Sequence, residues 1–254
     1  MNEKLLKTNC TNCGNEIYRR PWYVKNTKCF CNVGCGRQFK YKSEHPKTLN
    51  IINHENPNFY YLLGLIATDG HLQWPGCTKS GKTYQVSIEL NEKDLLILKK
   101  IQYEFGGVIV NTAKHCKKWI VHSKDFVCYL RDTVNMSHNK SLNLDVAVWF
   151  NGLVTDNKLH FLRGVIDGDG SIFLNEMRNG DKQLRLRIYS GSRAFIDMLY
   201  VFLCGGFINP RNTHCYAYCA NGAIASNILD TLYAKKTDLF FERKYNIYCN
   251  YSQQ

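Results

Sequence analysis

One nonapeptide occurs twice in this chain. Residues 62 to 70 read LLGLIATDG and residues 162 to 170 read LRGVIDGDG, a displacement of 100 residues. Such repetition constrains the fold strongly, because one structural unit must be built twice. The similarity extends past the motif. After the first copy, residues 84 to 90 (YQVSIEL) alternate as a half-buried strand does, and a helical pattern through Leu95, Leu98 and Phe105 leads to Gly106-Gly107. After the second, residues 184 to 189 (LRLRIY) alternate, and Phe195, Met198, Leu199 and Phe202 lead to Gly205-Gly206. Both glycine pairs introduce strand-like stretches: VIVNTA then KKWIVHS in one half, FINPRN then CYAYCAN in the other. Each half reads helix, strands, helix, strands, helix, so the chain is predicted to be α+β with one unit in two copies.

The motif itself predicts a helix pair. Asn56 caps a helix with Pro57 at its first position, and Gly70 is expected to end it. Gly64 and Thr68 are four residues apart, as are Gly164 and Gly168, so each pair lies on one helical face. Small residues there let two helices approach closely, although Thr68 breaks the symmetry. The helices then end side by side, each presenting one carboxylate, Asp69 and Asp169. Paired carboxylates at two helix C-termini suit a hard divalent cation. Asp167 has only Ala67 as its counterpart, which marks it as structural.

The two nonapeptides resemble the signature of the LAGLIDADG homing endonucleases, over residues 57 to 248. NKSLNLD (139 to 145) and LYAKKTDLFFERKYN (232 to 246) also resemble segments of that family. The resemblance implies two pseudo-symmetric αββαββα repeats forming a DNA-binding saddle. It also implies a monomeric, site-specific enzyme that cuts both strands of a long duplex target. Asp69 and Asp169 would hold Mg²⁺ (or Mn²⁺), with the backbone carbonyls of Thr68 and Gly168 in support. The family places a lysine near the cleavage waters; Lys124 in HSKDF fits that place, with Asn221 in CANGA as its counterpart, and a solvated surface lysine is the other reading. An RNA maturase or a DNA-binding regulator of the same fold, without cleavage, is the alternative function. No residues resembling intein splice junctions frame the repeats, which favours a free-standing or intron-encoded protein.

Charge agrees with a polyanionic partner. Lys and Arg number 33 against 21 Asp and Glu, for a formal net charge of +12 spread along the chain. Strand alternation points Gln85, Ser87 and Glu89 outward in one repeat, and Arg185, Arg187 and Tyr189 in the other. Arg, Gln and Ser are side chains that read base edges in the major groove. Lys79, Lys82, Lys114, Lys117, Lys118, Arg178, Lys182 and Arg211 are expected at phosphates. Because the outward residues differ between halves, the recognised double-stranded DNA should be asymmetric.

Five of the 12 cysteines fall between Cys10 and Cys35. Cys10 and Cys13, with Cys31 and Cys35, form two close pairs separated by enough chain to fold back, the pattern of a closed four-thiolate zinc site. The segment resembles the small zinc fingers at the ends of phage-type homing endonucleases. Cys29 offers a fifth sulfur that could replace Cys31. The predicted organisation is a zinc-finger-like module over 1–42, a linker over 43–56, a first repeat over 57–138, a connection over 139–155 and a second repeat over 156–254. No continuous apolar run of membrane-spanning length and no signal-peptide core occur, so no membrane partner is expected. The expected location is intracellular: the cytoplasm of a bacterial or phage-infected cell, or an organelle.

Overall fold

The computed structural model describes residues 5–11, 13–26, 28–36, 50–77, 83–112, 115–212 and 214–252. The expected linker lies partly, and Lys79, Lys82 and Lys114 wholly, outside the described residues. Two compact units divide the chain, 1–47 and 48–254.

The smaller unit pairs β1 (Leu6–Asn9) antiparallel with β2 (Glu16–Arg19) and adds a short helix, α1 (Pro21–Asn26). Among its described residues, the buried apolar cluster is Cys10, Ile17 and Cys29. A unit of under about 70 residues rarely folds on an apolar core alone and commonly relies on a staple such as a structural metal.

The larger unit contains the doubled element order. In the first repeat α2 (Pro57–Asp69) runs directly into β3 (Gly70–Gln73). Then come β4 (Gln85–Asn91), α3 (Leu95–Phe105), β5 (Val108–Asn111), β6 (Cys116–Val121) and α4 (Lys124–Cys128). The connection carries α5 (Lys140–Asn143) and α6 (Ala147–Asn151). In the second repeat α7 (Thr155–Asp169) leads to β7 (Gly170–Glu176), β8 (Lys182–Ser190), α8 (Arg193–Leu203), β9 (Phe207–Asn212), β10 (Cys215–Asn221) and α9 (Gly222–Ala234). A last helix, α10 (Glu242–Ser252), follows. Among the described residues, no helix is long and apolar enough to cross a membrane.

Each repeat builds one four-stranded antiparallel sheet, ordered β3-β4-β6-β5 and β7-β8-β10-β9. Register repeats with the same displacement as the sequence: Gly70 faces Ile88, and Gly170 faces Ile188. The position of Ser87 in the first sheet is therefore that of Arg187 in the second.

The motif helices are the centre of this unit. Phe59 through Ala67 and Leu159 through Asp167 are buried without a break, as befits helices covered on every side. Asn56 caps α2 as expected, its side chain accepting from the Asn58 amide. Close approach explains the glycines: a Cβ on Gly64 would stand 1.9 Å from the Phe161 carbonyl oxygen, and one on Gly164 would stand 2.1 Å from that of Tyr61. Gly70 ends α2 differently from a left-handed cap. Its backbone is extended (φ −77°, ψ 154°), so the chain leaves the helix straight into β3.

Candidate functional site

The two motif helices end side by side, each with its acid on the last turn. Asp69 Oδ2 lies 3.1 Å from the point a Cβ on Gly168 would occupy, so the first repeat's carboxylate reaches the last turn of the second repeat's helix. Burial, then the charge of Asp169, pushes the Asp69 carboxyl up to about 6, against the opposing pull of Lys244 and Lys140. Partial desolvation also raises Asp169, the more exposed of the two, while the same lysines pull it down. A carboxylate whose proton affinity is raised by burial and by a second acid is one that a cation relieves. A cleft of about 300 Å³ opens beside Asp169, lined among others by Thr68, Lys140, Tyr189 and Cys215.

Lys140 and Lys244 have no assigned part in the sequence reading. Lys140 Nζ donates to the carbonyls of Ala67 (3.0 Å) and Thr68 (2.5 Å) at the end of α2. Lys244 Nζ donates to those of Ile166 (2.7 Å), Asp167 (2.5 Å) and Gly168 (3.2 Å) at the end of α7, and to Gly170 (2.5 Å). Burial pushes both amines down to about 8. Their segments, NKSLNLD and LYAKKTDLFFERKYN, carried a usable signal: the lysines follow Asp69 and Asp169 by 71 and 75 residues. The carbonyls expected to support a cation, those of Thr68 and Gly168, each already accept one lysine hydrogen bond. One lone pair remains on each.

Lys124 is exposed at the start of α4, its Nζ 5.9 Å from the centre of the Tyr84 ring, and Lys244 and Lys140 are the lysines whose charge bears on Asp69. Register also corrects its counterpart: Val121 and Ala220 occupy matching places, so Asn221 corresponds to His122. Asp167 is 1% exposed; its Oδ2 accepts from the Tyr61 hydroxyl (2.8 Å) and the Phe241 amide (2.9 Å), and its Oδ1 is buried without a partner.

The outward strand residues divide into free and engaged groups. Gln85, Arg185 and Tyr189 are half-buried on their strands, and Lys182 is exposed. Arg185 Nε is buried without a hydrogen-bond partner. Arg187 is engaged within the protein: it donates to the Ala220 carbonyl (3.0 Å) and to Asn221 Oδ1 (2.8 Å), between the rings of Phe173 and Phe207. Lys117 holds Asn111 (2.7 Å), and Lys118 pairs with Glu89 (3.5 Å). Ser87 departs from expectation, being 1% exposed with an unpartnered hydroxyl. It stands between His71 and Ile120 on the flanking strands, and a side chain this short is covered by larger neighbours.

In the smaller unit, the sulfurs of Cys10, Cys13, Cys31 and Cys35 all lie within 4.8 Å of one another. Cys13 and Cys31 are 3.7 Å apart, near the ~3.8 Å edge that Zn–S bonds of about 2.3 Å give in a tetrahedron. The neighbouring Cys35 thiol, above all, pushes Cys31 up to about 12, the crowding of thiols that a cation removes. Cys31 rather than Cys29 completes this group. Cys29 is buried in the small core, and its carbonyl accepts from the Thr11 amide (2.7 Å).

No protein-family model and no curated protein matches the sequence. Solved structures do match. Meganuclease I-SmaMI bound to uncleavable DNA aligns with TM-score 0.53 at 15% identity, over 78% of this chain and 89% of its own. LAGLIDADG meganuclease I-AabMI bound to uncleaved DNA aligns with TM-score 0.57 at 16% identity, over 78% and 90%. The I-LtrWI LAGLIDADG homing endonuclease bound to target DNA gives 0.52 at 15%, over 80% and 92%. The chain has the LAGLIDADG fold. Within that fold, α2 and α7 each end on an acid, Asp69 in the first repeat and Asp169 in the second.

Proposed function

We propose that this chain is a site-specific DNA endonuclease that cuts both strands of a long, asymmetric duplex with a divalent cation. The observation that carries this reading is that Asp69 and Asp169 end abutting helices, near enough for the charge of Asp169 to act on Asp69. The likeness to DNA-bound meganucleases supports it. One chain brings both acids, so it acts as a monomer. The donor set fits Mg²⁺ or Mn²⁺: two crowded carboxylates, backed by one lone pair each on the Thr68 and Gly168 carbonyls. A bound cation there supplies an acidified water and neutralises charge on the phosphate. The protein's own part is to bind and orient. Asp69 and Asp169 hold the cation from opposite halves, and Lys140 and Lys244 fix the turns that carry them. Gln85, Arg185 and Tyr189 face base edges, while Lys117, Lys118 and Lys182 approach phosphates. Arg187 stiffens the strand beside Asn221 and reads bases only if that contact opens. Ser87 becomes available only if its neighbours move.

The smaller unit holds a structural Zn²⁺ through Cys10, Cys13, Cys31 and Cys35. Four protein sulfurs leave no open position for chemistry.

The test begins with a duplex selected from a random library by binding to the chain. With Mg²⁺ the wild type cuts it on both strands, and Asp69→Asn and Asp169→Asn bind it without cutting. Tight binding with no cleavage by the wild type in Mg²⁺ or Mn²⁺ would leave a regulator or maturase instead.

A further inference from the structure

Cations occur along the whole chain, but their excess over acids is uneven. Residues 1–47 hold 10 Lys and Arg against 3 Asp and Glu, whereas residues 48–254 hold 23 against 18. Between Glu16 and Glu44 the sequence has no acid and seven Lys or Arg. A surface of one sign repels itself, and soluble domains ordinarily intersperse both signs. Little of this charge is answered within the smaller unit. Glu16 is the one acid among its described residues, and its carboxylate pairs with Lys7 (2.6 Å), from β2 to β1. Arg19 is engaged internally, donating to the carbonyls of Tyr18 (3.0 Å), Cys31 (3.3 Å) and Phe30. Arg20, just before α1, and Lys25, in its last turn, are exposed. A Zn²⁺ on four thiolates leaves a net negative centre, which offsets only part of the excess.

We propose that the smaller unit is a second contact to duplex DNA, its exposed cations, Arg20 and Lys25 among them, lying against phosphates without reading base sequence. Charge complementarity identifies the partner: a one-signed cationic surface is relieved by a polyanion, and cations that neutralise phosphates release the counterions condensed there. The unit then contributes affinity that falls steeply with salt, while selectivity stays with the strands of the larger unit. This proposal rests on the duplex binding proposed above, because covalent attachment holds the smaller unit at a high local concentration near any duplex that the larger unit binds. It does not rest on cleavage.

The experiment uses the zinc-loaded full chain. Amide hydrogen exchange over 17–26 should slow when random duplex is added. The double variant Arg20→Gln/Lys25→Gln should flatten the slope of log affinity against log salt by about 2, since each lost phosphate contact removes about 0.9. Its affinity should fall by the same factor on selected and random duplex. Lys158→Gln/Lys235→Gln removes equal charge from the first turns of α7 and from the residue after α9, and should keep the wild-type slope. An unchanged slope in Arg20→Gln/Lys25→Gln, an equal change in the comparison variant, or unaltered exchange over 17–26 overturns the proposal. Stronger slowing by single-stranded RNA than by the duplex overturns it too. A chain that fails these tests yet cuts the selected duplex leaves the nuclease reading standing. A chain that passes them and cuts nothing fails that reading alone.

Discussion

Thr68 fills the space that Gly168 leaves open. A Cβ on Gly168 would stand 1.9 Å from Thr68 Oγ1 and 2.7 Å from its Cβ, so the bulk of one motif is matched by the absence of a side chain in the other. The threonine hydroxyl is satisfied within its own helix, donating to the Leu65 carbonyl at 3.0 Å. Gly168→Ala should therefore cost about 1–3 kcal/mol through overpacking. Thr68→Gly alone should cost about 1 kcal/mol as an unfavourable helix residue. The double variant should be more stable than the sum of the two losses, with a coupling of about 0.5–3 kcal/mol in urea unfolding. Additive losses would mean the two residues do not share that space.

Asp69 gives a pH signature with a definite sign. Its carboxyl is raised to about 6, above the ~3.9 of an unfolded aspartate. The folded state holds the proton longer, so the favourable contribution is present below about pH 4 and is lost as pH rises through about 6. In cation-free buffer, Asp69→Asn should match wild-type stability near pH 4 and gain on it steadily toward pH 7. Adding Mg²⁺ at pH 7.5 should raise the wild-type unfolding midpoint and leave that of Asp69→Asn unmoved. A stability difference that stays flat with pH would show that burial does not act on this carboxyl.

Zinc should be countable and confined. The purified chain should carry one Zn²⁺, lost in Cys13→Ser and kept in Cys29→Ser, because the four clustered sulfurs exclude Cys29. Chelation should abolish amide protection over 5–36 and leave the unfolding of the 48–254 unit unchanged, since the two units have separate cores. Retention of zinc by Cys13→Ser would refute the assignment.

The doubled motif made much of this architecture legible. Periodicity located the strands around Ile88 and Ile188, and the four-residue spacing of small residues located the helix contact, because both depend on local geometry that sequence records directly. The two buried lysines were not legible in the same way. Lys140 and Lys244 meet the motif helices over 71 and 75 residues of chain, and nothing local distinguishes a buried lysine from a solvated one. Ser87 failed for a related reason. Alternation separates Ser87 from Val86 and Ile88, but exposure depends on the flanking strands, which bring His71 and Ile120 beside it.

The same distinction separates the two arginines of β8. Both lie on the outward face, yet Arg187 is held by Ala220, Asn221 and two aromatic rings, while Arg185 has a buried Nε with no partner. An unpartnered buried donor costs free energy in the unbound protein, and a side-chain shift on binding that brings it to a base acceptor would recover that cost. Arg185→Ala should therefore weaken binding of the selected duplex by about 1–3 kcal/mol, with a much smaller effect on random duplex and little change in melting temperature. Arg187→Ala should lower the melting temperature as well, because it breaks contacts present before DNA arrives. Side-by-side titrations on selected and random duplex check this. Equal losses on both for Arg185→Ala would make it a phosphate contact, and an unchanged melting temperature for Arg187→Ala would mean its internal bonds do not hold the strand.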